Sequence, residues 1–245
     1  MGAMPEEVSS IVAVMDSVVA RPVAGRVFRL GRLRGSDAVV VESRWGKVAA
    51  ATTATHLIST YGVSHIVFTG VAGAIDPTLR IGDMVVARDL YQHDLDASPI
   101  FPPMQIPLLG VTALRADPEL SRRLAAAAEA FVRGAFDRVI PAAARAEFGI
   151  TSPRVVVGDV ATGDRFFSSA AAASDLRRRL PTALCVEMEG AAVAQVCHEH
   201  GVPFALVRTI SDAADHAAHL DFPRFLGAIA GAYAVGIMER FFDER

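Results

Sequence analysis

Two apolar runs in this chain end in acids. One reads Val186-Glu187-Met188-Glu189-Gly190-Ala191-Ala192, the other Val207-Arg208-Thr209-Ile210-Ser211-Asp212. An unpaired carboxylate in apolar surroundings is costly, so a buried strand that finishes in Glu or Asp has a task for it. Open α/β sheets bind ligands at the carboxyl ends of their strands. Acids at two such ends point to general acid/base work on a polar small molecule. Glu187 and Glu189 also suit a solvated helix start, where acids favour the dipole. Met188 between them, and the small residues that follow, favour a ligand role. Asp212, next to Ser211, reads equally well as a helix cap.

Other chemistry-bearing groups carry less. The run Thr69-Gly70-Val71-Ala72-Gly73 follows a strand but lacks GxGxxG spacing, and no Lys-Ser/Thr follows, so it supports neither a dinucleotide fold nor a P-loop. Its glycines suit a tight turn or a close approach of backbone to ligand. Phe166-Phe167, after Thr162-Gly163-Asp164, serves either the core or a flat heterocycle that needs a stacking face. His198 and His200 point apart on a helix, and His216 and His219 lack a third ligand, so no metal site is expected. Glu6 and Glu7 read as an ordinary acidic first turn after Pro5.

The elements that must hold these groups follow from the alternation of short β-rich runs with helical patterns, which marks an α/β protein. Strands are expected at Val27–Arg32 and Ala38–Glu42, flanking a Gly35-Ser36-Asp37 hairpin turn, then at His65–Thr69, Asp83–Ala87, Arg154–Val160, Ala183–Val186 and Phe204–Ile210. Helices are expected at Lys47–Tyr61, from Asp117 to Val132, near Ser168–Leu180, at Met188–His200 and at Phe222–Phe242. Gln92 to Leu109 is a Pro-rich loop, too long for a simple connector. With 245 residues, no repeat and no linker, the economical answer is one domain, 1–245.

Composition narrows the class. Hydrophobic residues make up 52% and charged residues 21%, which fits a large core. A net charge of −3 gives no reason to expect nucleic acid or an anionic membrane as partner. No apolar run reaches the length of a membrane span, and the first residues lack a signal-peptide core, so a soluble cytoplasmic protein is expected. Cys185 and Cys197 lie in apolar stretches and read as buried free thiols.

Taken together, GAMPEEV, GKVAAA, TGVAGAIDPTLRIGDMVVA, YQHD, TGDRFF, VEMEGAAVAQVCHEHGVPF and VRTISDAAD resemble the 5′-methylthioadenosine/S-adenosylhomocysteine nucleosidase family, in order and over almost the whole chain. The resemblance implies a single three-layer α/β domain of nucleoside phosphorylase type, with a central mixed sheet, paired as a homodimer. It implies hydrolysis of the N-glycosidic bond of a 5′-thio-substituted adenine nucleoside, with no cofactor. Position by position, Glu7 matches the carboxylate that activates water, and Asp212 the acid that protonates the departing purine. Met188 and Glu189 match the ribose-binding pair, and Arg208 an arginine on the water side. Phe166 matches the ring that stacks on adenine, and Phe167 the residue whose backbone reads the base edge. Phe101 matches an aromatic that caps the thio-substituent pocket of the neighbouring subunit. A raised pKa is expected for Asp212, through burial.

Four departures from that family bear on substrate more than on reaction class. Only Met1 precedes Gly2, where the family has its first β-strand, so that strand is expected to be missing and Glu7 to be poorly fixed. Val71 replaces a serine in the glycine segment. Arg44-Trp45 replaces Gly-Ile, so that Trp45 reshapes the space for the 5′-substituent and Arg44 adds a cation. Gly134–Ile150 is longer than in compact members. Two alternatives remain open: a phosphate-dependent purine nucleoside phosphorylase, with Arg44 and Arg208 as cationic partners, and a non-catalytic purine-binding protein of the same fold.

Overall fold

Pro5 pre-sets the first turn of α1 (Pro5–Ala13), which buries Glu7, Val8 and Ile11. A three-stranded antiparallel ribbon follows, built from β1 (Asp16–Val23), β2 (Arg26–Leu33) and β3 (Ser36–Val40). Arg34-Gly35, both with positive φ, make the tight turn between β2 and β3. β1 is exposed along its whole length, so it lacks the alternation that marks a half-buried strand and leaves no trace in the sequence pattern. The structure is a computed structural model and describes residues 1–243.

α2 (Lys47–Tyr61) matches its expected span and ends at Gly62 in the left-handed conformation. Beyond it come β4 (Ile66–Ala74), β5 (Met84–Gln92) and the short β6 (Leu114–Arg115). α3 (Pro118–Gly134) is capped by Asp117, whose carboxylate accepts from the Leu120 N–H. The long segment after it folds into α4 (Phe136–Val139) and α5 (Ala142–Glu147). β7 (Val155–Thr162), α6 (Ala170–Arg179), β8 (Ala183–Glu187), α7 (Gly190–His200) and β9 (Phe204–Asp212) complete the alternation. α8 (Ala218–Phe225), a π-helical turn (Leu226–Ala230) and α9 (Gly231–Asp243) close the described chain.

Strands β6-β5-β7-β8-β4-β9 form one mixed sheet, and β5 also pairs with β9, closing five of them into a ring. Every residue of β9 is buried, from its apolar start at Phe204–Val207 through the polar residues that follow. Helices surround the sheet: α2 packs on α7, and both α1 and α3 pack on α9. The architecture is thus the expected α/β domain with a central mixed sheet. Cys185 and Cys197 are buried free thiols.

Three local expectations are corrected. Gly70–Gly73 is no turn, because β4 runs straight through it, paired with β9 from Ile66 to Gly73. The last helix begins at Ala218 rather than Phe222 and is interrupted. Pro223 lies inside α8 without an N–H to donate, and the π turn follows directly. Ala218–Asp243 is also long and apolar enough, by composition, to cross a membrane, contrary to the expectation that no run is; half of its most apolar window is buried within this fold.

The chain start sits between the two sheets. The Met1 amine donates to the Val67 carbonyl at 2.8 Å, and the Thr69 N–H donates back to Met1. Gly2 pairs on its other side with Val41 and Ser43. Next to Met1 an apolar groove of about 660 Å³ continues between the ribbon and β4, lined by Leu30, Val40, Leu57, Ile66, Met238 and Phe242. Burial, aided by Arg208, lowers the Met1 amine to a pKa of about 5.

Candidate active site

The carboxyl ends of β4, β8 and β9 meet the start of α1 around one cavity. β4 and β9 run in register until Ala72 faces Ile210; the next pair is Gly73 and Asp212, which leaves Ser211 as an extra residue on β9. Such a bulge re-aims the side chain beside it. Asp212, 2% exposed, lines the cavity. The Ser211 hydroxyl donates to it at 2.8 Å and the Ala214 N–H at 2.9 Å. Burial raises its pKa and outweighs those two donors, while Asp221 and Asp215 add to the rise. The expected direction is the one found.

At the end of β8 two acids share one guanidinium. Arg208, on β9, is fully buried, with its guanidinium 4.3 Å from the Phe68 ring centroid. Its Nη2 lies 2.5 Å from Glu187 and 3.6 Å from Glu189. Its Nε and Nη1 have no hydrogen-bond partner among the described residues. Glu189 accepts from the Gly46 N–H at 2.9 Å. Burial, and then the charge of Glu187, push Glu189 up to a pKa of about 8. Gly46 has φ near +91° at the start of α2, a conformation that costs glycine least, and this turn brings its N–H to Glu189.

Glu7, 2% exposed, is held by three backbone donors. Ala3 and Met4 donate to Oε2 at 2.5 and 3.0 Å, and Val71 to Oε1 at 3.2 Å. The expectation of a poorly fixed Glu7 is therefore wrong: the two residues just before its own helix, and β4, clamp it. Burial raises its pKa against the pull of Arg208 and the three N–H groups. A Cβ on Gly70 would lie 2.5 Å from Arg208 Nη1 and 2.8 Å from Glu7 Oε1, so that position admits only glycine while both stay in place.

Aromatic rings cover the acids. Phe166 meets Phe222 edge to face at 5.5 Å between centroids, and Phe222 meets Trp45 likewise at 5.7 Å. Trp45 is 51% exposed yet lines the cavity, so it stands between cavity and solvent. Of the residues picked from the sequence, Glu7, Trp45, Val71, Phe166, Phe167, Met188, Glu189 and Asp212 line this one cavity. Arg208 stands behind it, bonded to Glu187. Phe101 is not among its lining residues and sits on the Pro-rich loop. Arg44 does not face the cavity either; it donates to the Gly25 carbonyl in the ribbon. Sequence reasoning missed Phe222, Ser211, Arg165, Ala3 and Met4, which also line it. Phe222 sits in an ordinary amphipathic pattern, and only its ring contacts give it away.

Known proteins resemble this chain in sequence and fold. The sequence profile of the phosphorylase superfamily matches residues 1–242. A 5′-methylthioadenosine/S-adenosylhomocysteine nucleosidase from Shewanella putrefaciens is 34% identical over 226 residues, 92% of this chain and 90% of its own. The solved structure of such a nucleosidase from Colwellia psychrerythraea, in complex with adenine, matches with a TM-score of 0.84 at 31% identity, covering 99% of this chain and 92% of that one. The futalosine hydrolase of Helicobacter pylori matches with a TM-score of 0.82 at 32% identity, covering 100% and 96%.

Proposed function

We propose, from the premise that this chain belongs to the phosphorylase superfamily and within it to the 5′-methylthioadenosine/S-adenosylhomocysteine nucleosidases, that it hydrolyses the N-glycosidic bond of a 5′-thio-substituted adenine nucleoside and releases adenine. The observation that carries this is the gathering of Glu7, Glu189 and Asp212, all buried, around one ring-covered cavity. Glu7 takes the proton of the attacking water. Asp212 delivers a proton to N7 of the leaving purine. Glu189, with Met188, holds the ribose hydroxyls, and the buried carboxylates stabilise the cationic character that the sugar acquires as the bond breaks. Phe166 stacks on the base and the Phe167 backbone reads its edge.

Water rather than phosphate suits this cavity. A phosphate dianion would meet Glu7 and Glu189, while Arg208 already serves Glu187 and Arg44 faces the ribbon. Adenine release from methylthioadenosine, assayed with and without phosphate, tests the reading. Release without phosphate is expected. Release only with phosphate would make the protein a phosphorylase, and adenine binding with no release from any purine nucleoside would make it a binding protein.

Trp45 bears on which nucleoside is preferred. Its contact with Phe222 narrows the cavity mouth, so a long charged 5′ tail must part the two rings. Trp45→Ala is expected to raise the kcat/KM ratio of adenosylhomocysteine to methylthioadenosine by about tenfold, the usual scale for reshaping an apolar pocket. An unchanged ratio would remove Trp45 from substrate selection.

Ile100 and Leu108, on the loop that carries Phe101, are both exposed, an apolar surface that supports pairing with a second copy. In such a homodimer Phe101 caps the partner's pocket. The two buried free thiols fit a reducing cytoplasm, where the enzyme serves methionine salvage.

A further inference from the structure

Glu187 has no part in the chemistry above, yet it is the most heavily bonded acid of the cluster. It ends β8 and is buried rather than solvated as a plain helix start would be. Its carboxylate receives the N–H groups of Glu189 at 3.0 Å and of Gly190 at 2.8 and 3.0 Å, the first donors of α7. It also receives the Thr162 hydroxyl, which in turn accepts from Ala191. Against this fixed carboxylate lies Arg208, 2.5 Å away, whereas Glu189 is 3.6 Å from the same nitrogen. Arg208 thus has a near partner and a distant one.

We propose that Glu187 is a positioning residue: by occupying Arg208 it keeps Glu189 out of a close ion pair and free to take the ribose hydroxyls. A carboxylate locked to a guanidinium has fewer lone pairs to offer and is drawn away from its ligand. Glu187 is tied at four points to β7 and to the start of α7, so it does not move with substrate. The charges that face Glu189 are Glu187 on β8, Arg208 on β9 and Glu7 on α1, with the Gly46 N–H at the start of α2. Of these, Glu187 raises the Glu189 pKa through its own charge, and Arg208 opposes it.

This inference rests on reading the cavity as a ribose site, and its test needs no turnover. Binding is measured by calorimetry across pH for two probes. One is the 5′-methylthio nucleoside whose base carries carbon in place of N7 and so does not leave; the other is adenine, which has no ribose. In Glu187→Gln the carboxylate charge is gone and Arg208 turns to Glu189. Nucleoside affinity is expected to fall about tenfold, the scale of a lost hydrogen bond to a charged group, with adenine affinity unchanged. The pH step in nucleoside affinity that Glu189 sets is expected to move down, because the Glu187 charge that raises the Glu189 pKa is gone. Glu187→Asp keeps the charge but withdraws the carboxylate, so affinity falls while the step stays. A purely structural Glu187 would lower thermal stability and weaken both probes together. That result, or a Glu187→Gln protein that binds the nucleoside as the parent does, overturns the proposal. Should Glu187→Gln fail to fold, parental nucleoside affinity in Glu187→Asp overturns it alone. Adenine release by the parent protein tests the hydrolase reading separately.

Discussion

Asp212→Asn is expected to lower kcat by about 10²–10⁴-fold, the usual contribution of a positioned proton donor, or about 3–5 kcal/mol of transition-state stabilisation. A purine leaves poorly as an anion, and N7 is the site where a proton neutralises it. The acid that supplies this proton must still hold it near neutrality. Burial moves Asp212 in that direction, raising its pKa against the Ser211 hydroxyl and the Ala214 N–H, both of which favour the charged form. Asn preserves the size and the hydrogen-bonding shape but has no proton to give. Near-normal turnover in this variant would end the assignment.

The same shift has a consequence for stability, with the opposite sign to most acids. A carboxyl whose pKa is raised on folding binds its proton more tightly in the folded chain. That contribution is fully present below the unfolded pKa and is lost as pH rises through the folded one. Ionised Asp212 therefore strains the fold at alkaline pH, and Asn removes that strain. The variant's thermal midpoint is expected to match or exceed the parent's at alkaline pH, with the gap narrowing as pH falls. An inactive variant that is also less stable at alkaline pH would point to misfolding instead of a missing proton.

Asp212 and Glu189 were visible from the sequence because strand ends that carry acids are chemically odd, and both odd residues line the cavity. The strand order and the closing β5–β9 pair were not visible, since periodicity reports which face is buried but not which strand lies beside it. Glu7 shows the opposite limit. In an acidic first turn after proline it looks like any helix start, and only the resemblance marked it out. It takes a hydrogen bond from Val71 and feels the charge of Arg208, both more than sixty residues away in the chain, and local pattern holds no record of such interactions. Phe222 and Ser211 escaped for related reasons: a ring set edge to face across elements and a bulge in strand register are both tertiary events. Trp45 was singled out as a departure in type, and its ring contact with Phe222 now gives that departure a physical place at the cavity mouth.

Glu7→Gln is expected to lower kcat by about 10²–10⁴-fold, because a general base that cannot take a proton leaves water a weak nucleophile. An ionised carboxylate has about four acceptor sites. Ala3 and Met4 occupy two on Oε2, and Val71 one on Oε1, which leaves one lone pair on Oε1 for the attacking water. Gln offers a single acceptor oxygen, and its amide N–H groups would face a backbone donor, so the clamp loosens as well. Adenine affinity is expected to stay at the parental value, since the proposed function sets the base against Phe166 and Asp212 rather than Glu7; that measurement separates lost chemistry from lost fold. The pH profile separates the two acids from each other. Glu7 works ionised, so turnover rises as pH climbs through its raised pKa; Asp212 works protonated, so turnover falls as pH climbs through its own. The parent profile is therefore a bell. Residual turnover in Glu7→Gln is expected to lack the acidic limb and keep the alkaline one, and Asp212→Asn to do the reverse. A Glu7→Gln enzyme with the acidic limb in place would mean that another group activates the water.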